Sequence, residues 1–96
     1  MKFEIEKSKY NIHSLMKRLG YSPHPKNESF VRRLGADKFP RFHVYFKDLP
    51  DKFEIAIHLD QKGACHTGQT AHSGDYDGQN LQEEKLRIKN LLDNIL

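Results

Sequence analysis

Ninety-six residues, 36% apolar and 30% charged, suffice for one small domain, residues 1–96, and leave no room for a second. No apolar run reaches the length of a membrane span, and the charge-alternating start MKFEIEKSKY is unlike a signal peptide, so the expected location is cytoplasmic with no membrane partner. The lone cysteine, Cys65, excludes an internal disulfide framework, and the net charge of +3 is split: residues 1–52 hold twelve Lys/Arg against six Asp/Glu, residues 53–96 four against seven.

Phe3 and Ile5 alternate with Lys2, Glu4 and Glu6, which predicts a short N-terminal strand or extended arm. From Tyr10 to Leu19 the apolar residues Ile12, Leu15, Met16 and Leu19 fall at helical spacing, and Gly20 is a natural stop. Lys17 and Arg18 stand near the C-terminal end of that helix, where its dipole favours cations. Pro23 and Pro25 in YSPHPKNE force an extended, turn-like connection. Ser29 to Leu34 is expected to be the first main strand, followed by turn material from Gly35 to Lys38.

The next two strands have the clearest alternation. In RFHVYF, Phe42, Val44 and Phe46 point one way, and Arg41, His43 and Tyr45 the other. In FEIAIHLD, Phe53, Ile55, Ile57 and Leu59 form an apolar face, and Glu54, Ala56, His58 and Asp60 the opposite one. The short link KDLPDK predicts an antiparallel hairpin. Gln61 to Asn80 then reads as a long loop with four glycines. Leu81 to Leu96 is expected to be helical, with Asn80 and Glu83 at capping-box spacing and Asp77 as a competing cap. Its stripe is Leu81, Ile88, Leu91, Leu92 and Ile95.

The expected fold is α+β: helix, three-stranded antiparallel sheet, helix, with an extra N-terminal strand. Both helices would pack on the Phe42/Val44/Ile55/Ile57 face, which leaves Arg41, His43, Tyr45, Glu54, His58 and Asp60 to solvent or a partner. This order of elements resembles double-stranded-RNA-binding domains and the small bacterial toxin ribonucleases of the HicA family. The resemblance implies an RNA-directed role. The chain departs from both patterns: His43 follows Phe42 with no Gly-Ser before it, and the last helix opens on Gln82, Glu83 and Glu84 where the RNA-binding domains carry lysines.

Chemistry concentrates between Phe53 and Gly78. His58 and Asp60 are two apart on a strand, so both leave the same face, and His43 joins them if the register allows. With His66 or His72 from the loop, His58 and Asp60 offer imidazole and carboxylate donors for Zn or Mn, in a hydrolase-like site. A metal-free reading makes His58, Asp60 and His43 an acid–base set, with Arg41, Arg32 or Arg33 holding phosphate. A nucleic-acid reading uses Arg32, Arg33, Arg41, Lys38 and Tyr45 to meet phosphates and stack on bases of an RNA partner. A non-catalytic homodimer or a module for a small protein partner is the remaining class. Cys65, Asp75 and Asp77 read as a free thiol and turn-shaping residues, and Tyr76 as either a contact or a pin for the loop.

Overall fold

In the computed structural model of the chain, residues 1–61, 74–75 and 78–95 are described. The elements are β1 (Lys2–Glu6), α1 (Ile12–Arg18), β2 (Ser22–Pro23), β3 (Phe30–Arg33), β4 (Arg41–Asp48), β5 (Lys52–Asp60), β6 (Gly74–Asp75) and α2 (Gln79–Ile95). The fold is α+β, with two helices against an antiparallel sheet that includes the extra N-terminal strand. Strand order is β1-β5-β4-β3-β2, with β6 also on β5.

The hairpin of β4 and β5 is the spine of the sheet. Pairing runs from Arg41 opposite Asp60 to Asp48 opposite Phe53, and the Leu49 N–H closes the turn on the Lys52 carbonyl at 3.0 Å. On the other side of β5, β1 pairs with Lys52–Ala56 and β6 pairs with Leu59 and Asp60. The register is in phase, so Phe42, Val44, Ile55, Ile57 and Leu59 share one face and are each at most 3% exposed. They form one core with Ile12, Leu15, Met16 and Leu19 of the first helical segment and Leu81, Ile88 and Leu92 of α2. Burying these side chains is worth about 1.5–3 kcal/mol each before the cost of ordering the chain. No helix among the described residues is long and apolar enough to cross a membrane.

The end of α1 shows how local sequence sets tertiary structure. Asn11 caps the start, its Oδ1 accepting the Ser14 N–H at 2.8 Å. At the other end Gly20 adopts φ +92°, which a side chain would resist. The Gly20 N–H then reaches the Lys17 carbonyl at 3.1 Å, and the Tyr21 N–H the Met16 carbonyl at 2.9 Å, the two bonds of a Schellman motif. That turn delivers Tyr21 into the interior.

There Tyr21 meets Glu84, a buried charge on α2. The Tyr21 hydroxyl donates to Glu84 Oε2 at 2.6 Å, and Arg87 grips both carboxylate oxygens at 2.7 and 2.8 Å. Arg87 also donates to the Leu19 carbonyl at 2.7 Å, and Arg32 approaches Glu84 at 3.4 Å. Burial, and next the negative charge of Glu84, push the Tyr21 phenol well above its ordinary range. This network fastens α2 to the end of α1 and to β3.

Two expectations need correction. The Asn80 cap is wrong, because the Gly78 carbonyl accepts the N–H groups of Leu81 and Gln82 at 3.0 and 3.2 Å, so the helix is already running at Asn80. The proline-rich connection contains the two-residue strand β2, in register with Val31 and Phe30. Glu84→Ala should lower stability by about 3 kcal/mol, since it strands a buried phenol and a half-buried guanidinium. Leu86→Ala, at a position 62% exposed, should cost about 0.5 kcal/mol or less. Equilibrium urea denaturation of both variants measures the difference.

Candidate metal centre

The face of the sheet turned away from the helices is built as a grid. Arg33, Arg41 and Asp60 form one row across β3, β4 and β5; Val31, His43 and His58 form the next. Adjacent strands are about 4.8 Å apart, so His43 and His58 are cross-strand neighbours and Asp60 is one alternation further along β5. One donor atom each from His43, His58 and Asp60 lie within 4.8 Å of one another.

Asp60 is the hub. Its Oδ1 meets His58 Nε2 at 2.8 Å, and its Oδ2 meets His43 Nδ1 at 3.0 Å. Arg41 Nε donates to Oδ2 from 3.4 Å. Burial alone would raise the Asp60 carboxyl, but the hydrogen bonds from His43 and His58 outweigh it and hold the group well below the usual carboxylate range. Asp60 is therefore an anion at any ordinary pH, as a metal ligand must be.

His43 is held from its far side. Its Nε2 lies 2.7 Å from Ser29 Oγ, and the Ser29 hydroxyl donates to Asn27 Oδ1. With a cation on Nδ1, His43 would keep its proton on Nε2 and donate it to Ser29 Oγ, while the Ser29 hydroxyl gives its own proton to Asn27 Oδ1. The Nδ1 edge is thereby turned to Asp60. An imidazole anchored through one N–H while the other nitrogen faces the site is the usual arrangement of a metal-binding histidine. The order Ser29–His43–Asp60 also has the connectivity of a Ser-His-Asp hydrolase. Ser29 is 1% exposed and its hydroxyl is committed to Asn27, so it acts as an anchor for the imidazole and not as a nucleophile.

Aromatic rings complete the setting. Tyr45 stacks on His43 with centroids 4.5 Å apart and on His58 at 5.8 Å, and His24 lies parallel to His43 at 5.4 Å. His43 is 6% exposed although no helix among the described residues covers this face; His24, Tyr45 and His58 are among the rings that shield it. The Lys26 N–H donates to His24 Nδ1 at 3.0 Å. Partial burial, followed by the charges of His43 and Arg41, lowers the His24 pKa and favours the neutral ring.

The donor set suits a divalent cation such as Zn or Mn. Two imidazoles and one carboxylate with open positions are found in catalytic zinc sites and in mononuclear non-haem iron sites. Bonds of about 2.0–2.1 Å in a tetrahedral site imply donor separations of about 3.3 Å. Movements of about 1.5 Å or less convert the observed separations to that spacing.

The sequence-derived site residues are distributed as follows. His58, Asp60 and His43 come together, and the two imidazoles converge on the carboxylate instead of facing each other across a gap. His66 and His72, with Cys65, Tyr76 and Asp77, lie outside the described residues. The backbone of Gly74 pairs with Asp60, which returns the chain to the edge of the site. Tyr45 is on the histidine face, 43% exposed. Arg32 points to the helix side and pairs with Glu84. Arg33, Lys38 and Arg41, with Arg32, line a groove of about 500 Å³. Ser29, Asn27 and His24 carry no sequence motif; the only available signal is that Ser29 alternates with inward-facing Phe30. No family model, curated protein or solved structure matches the chain.

A carboxyl whose pKa is lowered on folding stabilises the fold above the unfolded value and loses that contribution as pH falls toward the folded one. Stability should therefore decline as pH drops below about 5, and the gap between the native protein and Asp60→Asn should narrow over the same range. Urea midpoints from pH 7 to pH 3 give the comparison.

Proposed function

We propose that this protein holds one divalent cation, zinc or manganese, on His43, His58 and Asp60 and uses it for hydrolysis. The carrying observation is the convergence of these three donors within 4.8 Å of one another on the face of the sheet opposite the apolar core. The cation would supply a bound water of lowered pKa, and an open coordination position would admit substrate. The protein's own groups have defined tasks. Asp60 contributes the anionic ligand, and Ser29 with Asn27 fixes the orientation of His43. Tyr45 packs both imidazoles, which limits their rotation. Arg41, beside Asp60, adds positive charge next to the cation. A dication, one carboxylate and one guanidinium leave the centre net positive, which favours an anionic ester over a neutral one. Exposed large hydrophobic side chains among the described residues are Leu34, Tyr45 and Leu86, on separate elements, so the interaction-module reading has less support.

Calorimetric titration of chelator-treated protein with ZnCl2 and MnCl2 should give one ion per chain for the preferred metal, with a rise in melting temperature. His58→Ala should abolish uptake while the variant stays folded. Ser29→Ala should weaken affinity about ten- to a hundredfold, as loss of an outer-shell partner does. No uptake and an unchanged melting temperature would overturn the reading. Uptake without turnover of an activated phosphodiester would keep the metal site and remove the hydrolysis.

A further inference from the structure

A second feature adjoins the metal centre. The groove of about 500 Å³ is lined by Arg32, Arg33, Lys38 and Arg41, with Pro23 and Pro25 among its walls, and none of its lining residues among those described is acidic. Arg32 pairs with Glu84 and Arg41 with Asp60, each at 3.4 Å, so the excess positive charge of the groove rests on Arg33 and Lys38, and an anion between them is stabilised. Proline walls and a short strand make the concavity rigid, which limits the ordering cost of binding.

Its position relative to the three metal donors is fixed by the sheet. Arg41 belongs to both features: it lines the groove and contacts Asp60 at 3.4 Å. Arg33 lies one strand further out in the same row, opposite Arg41. An anion held by Arg33 and Arg41 would therefore sit one to two strand spacings, about 5–10 Å, from the Asp60 end of the metal centre. That is the scale of one nucleotide step along an extended strand. On the opposite flank of the histidines stands Tyr45, 43% exposed, a ring on which a base can stack. The Phe39 ring lies under the Arg41 guanidinium at 4.4 Å and the Lys38 ammonium at 5.9 Å, which helps to hold these two groove cations in place. Charge and metal donors thus follow one another across the strands, and the exposed aromatic follows the histidines along β4. A volume of this size takes one or two nucleotide units and not a duplex.

We infer that the substrate is single-stranded nucleic acid: the groove grips one phosphate of the strand, the phosphodiester one step away lies at the metal centre, and Tyr45 stacks on a base beyond it. The inference rests on the metal-centre reading for its chemistry, whereas the grip on the strand needs no metal.

The test is fluorescence anisotropy of a labelled ten-nucleotide single strand in the presence of EDTA, with metal uptake measured separately on the same proteins. Affinity should fall with salt, with a log–log slope of about −1.4 for the two phosphates held, one in the groove and one beside Arg41 at the metal centre. Arg33→Glu and Lys38→Glu should each weaken binding about fivefold or more and flatten that slope by about one, while metal uptake stays unchanged. Tyr45→Ala should weaken binding about fivefold or more without altering the salt slope. Binding that is insensitive to salt or to both charge reversals would overturn the proposal even if the metal site is real. Inorganic phosphate or a mononucleotide that binds as tightly as the ten-mer would show a single-phosphate site, and equal affinity for a duplex would remove the single-strand claim. Strand binding with no metal uptake would keep the groove and overturn the placement of a scissile phosphodiester at a metal.

Discussion

Everything on the working face follows from one constraint, the in-phase register of β4 and β5. Arg41 opposite Asp60 forces His43 opposite His58 and Val44 opposite Ile57. A slip of one residue would send the histidines into the apolar core and the isoleucines into water. The register is defended from the other side of the sheet, where five apolar side chains of the hairpin are nearly sealed from solvent. The geometry of the polar cluster is thus enforced by hydrophobic burial that never touches it.

Two carboxylates of this molecule, the buried Glu84 and the partly buried Asp60, show opposite uses of the same chemistry. Glu84 is enclosed by a phenol and a bidentate guanidinium, and its oxygens are saturated by donors that keep their protons. Its job is finished once α2 is docked. Asp60 is surrounded instead by two imidazoles, groups that exchange a proton for a metal without leaving their places. The difference between a fastening and a cluster able to coordinate a metal lies in the partners, since the carboxylates are alike.

Much of this was legible in the chain. Alternation in RFHVYF and FEIAIHLD assigned the residues of those two segments to their faces, and the short KDLPDK link implied an antiparallel hairpin, whereas the register that sets His43 opposite His58 was not legible. The α1 stripe and the stop at Gly20 were legible for the same reason: short-range periodicity is written in residue type. Ser29, Asn27 and His24 were not, because their approach to His43 depends on where β2 and β3 dock, and four-residue strands have little pattern to read. Glu84 was missed because a carboxylate at helical spacing with Leu81 and Ile88 reads as solvent-facing until Arg87 and Tyr21 are known to enclose it. Arg32 has two surroundings, an ion pair with Glu84 on the helix side and a place in the wall of the cationic groove. Its two-residue spacing from Phe30 makes the helix-side pair legible, whereas the groove depends on where β2 and the turn before β4 come to lie.

The hairpin also has a consequence in time. His43 and Asp60 are only seventeen residues apart along the chain, so the entropy of closing the loop between them is small compared with that of joining β1 to β5 or α2 to the end of α1. Contacts of such short span form early in folding, before the distant termini are gathered. The donor set therefore belongs to a unit that can take shape while the rest of the chain is still open. An ion present at that stage would find its ligands already paired.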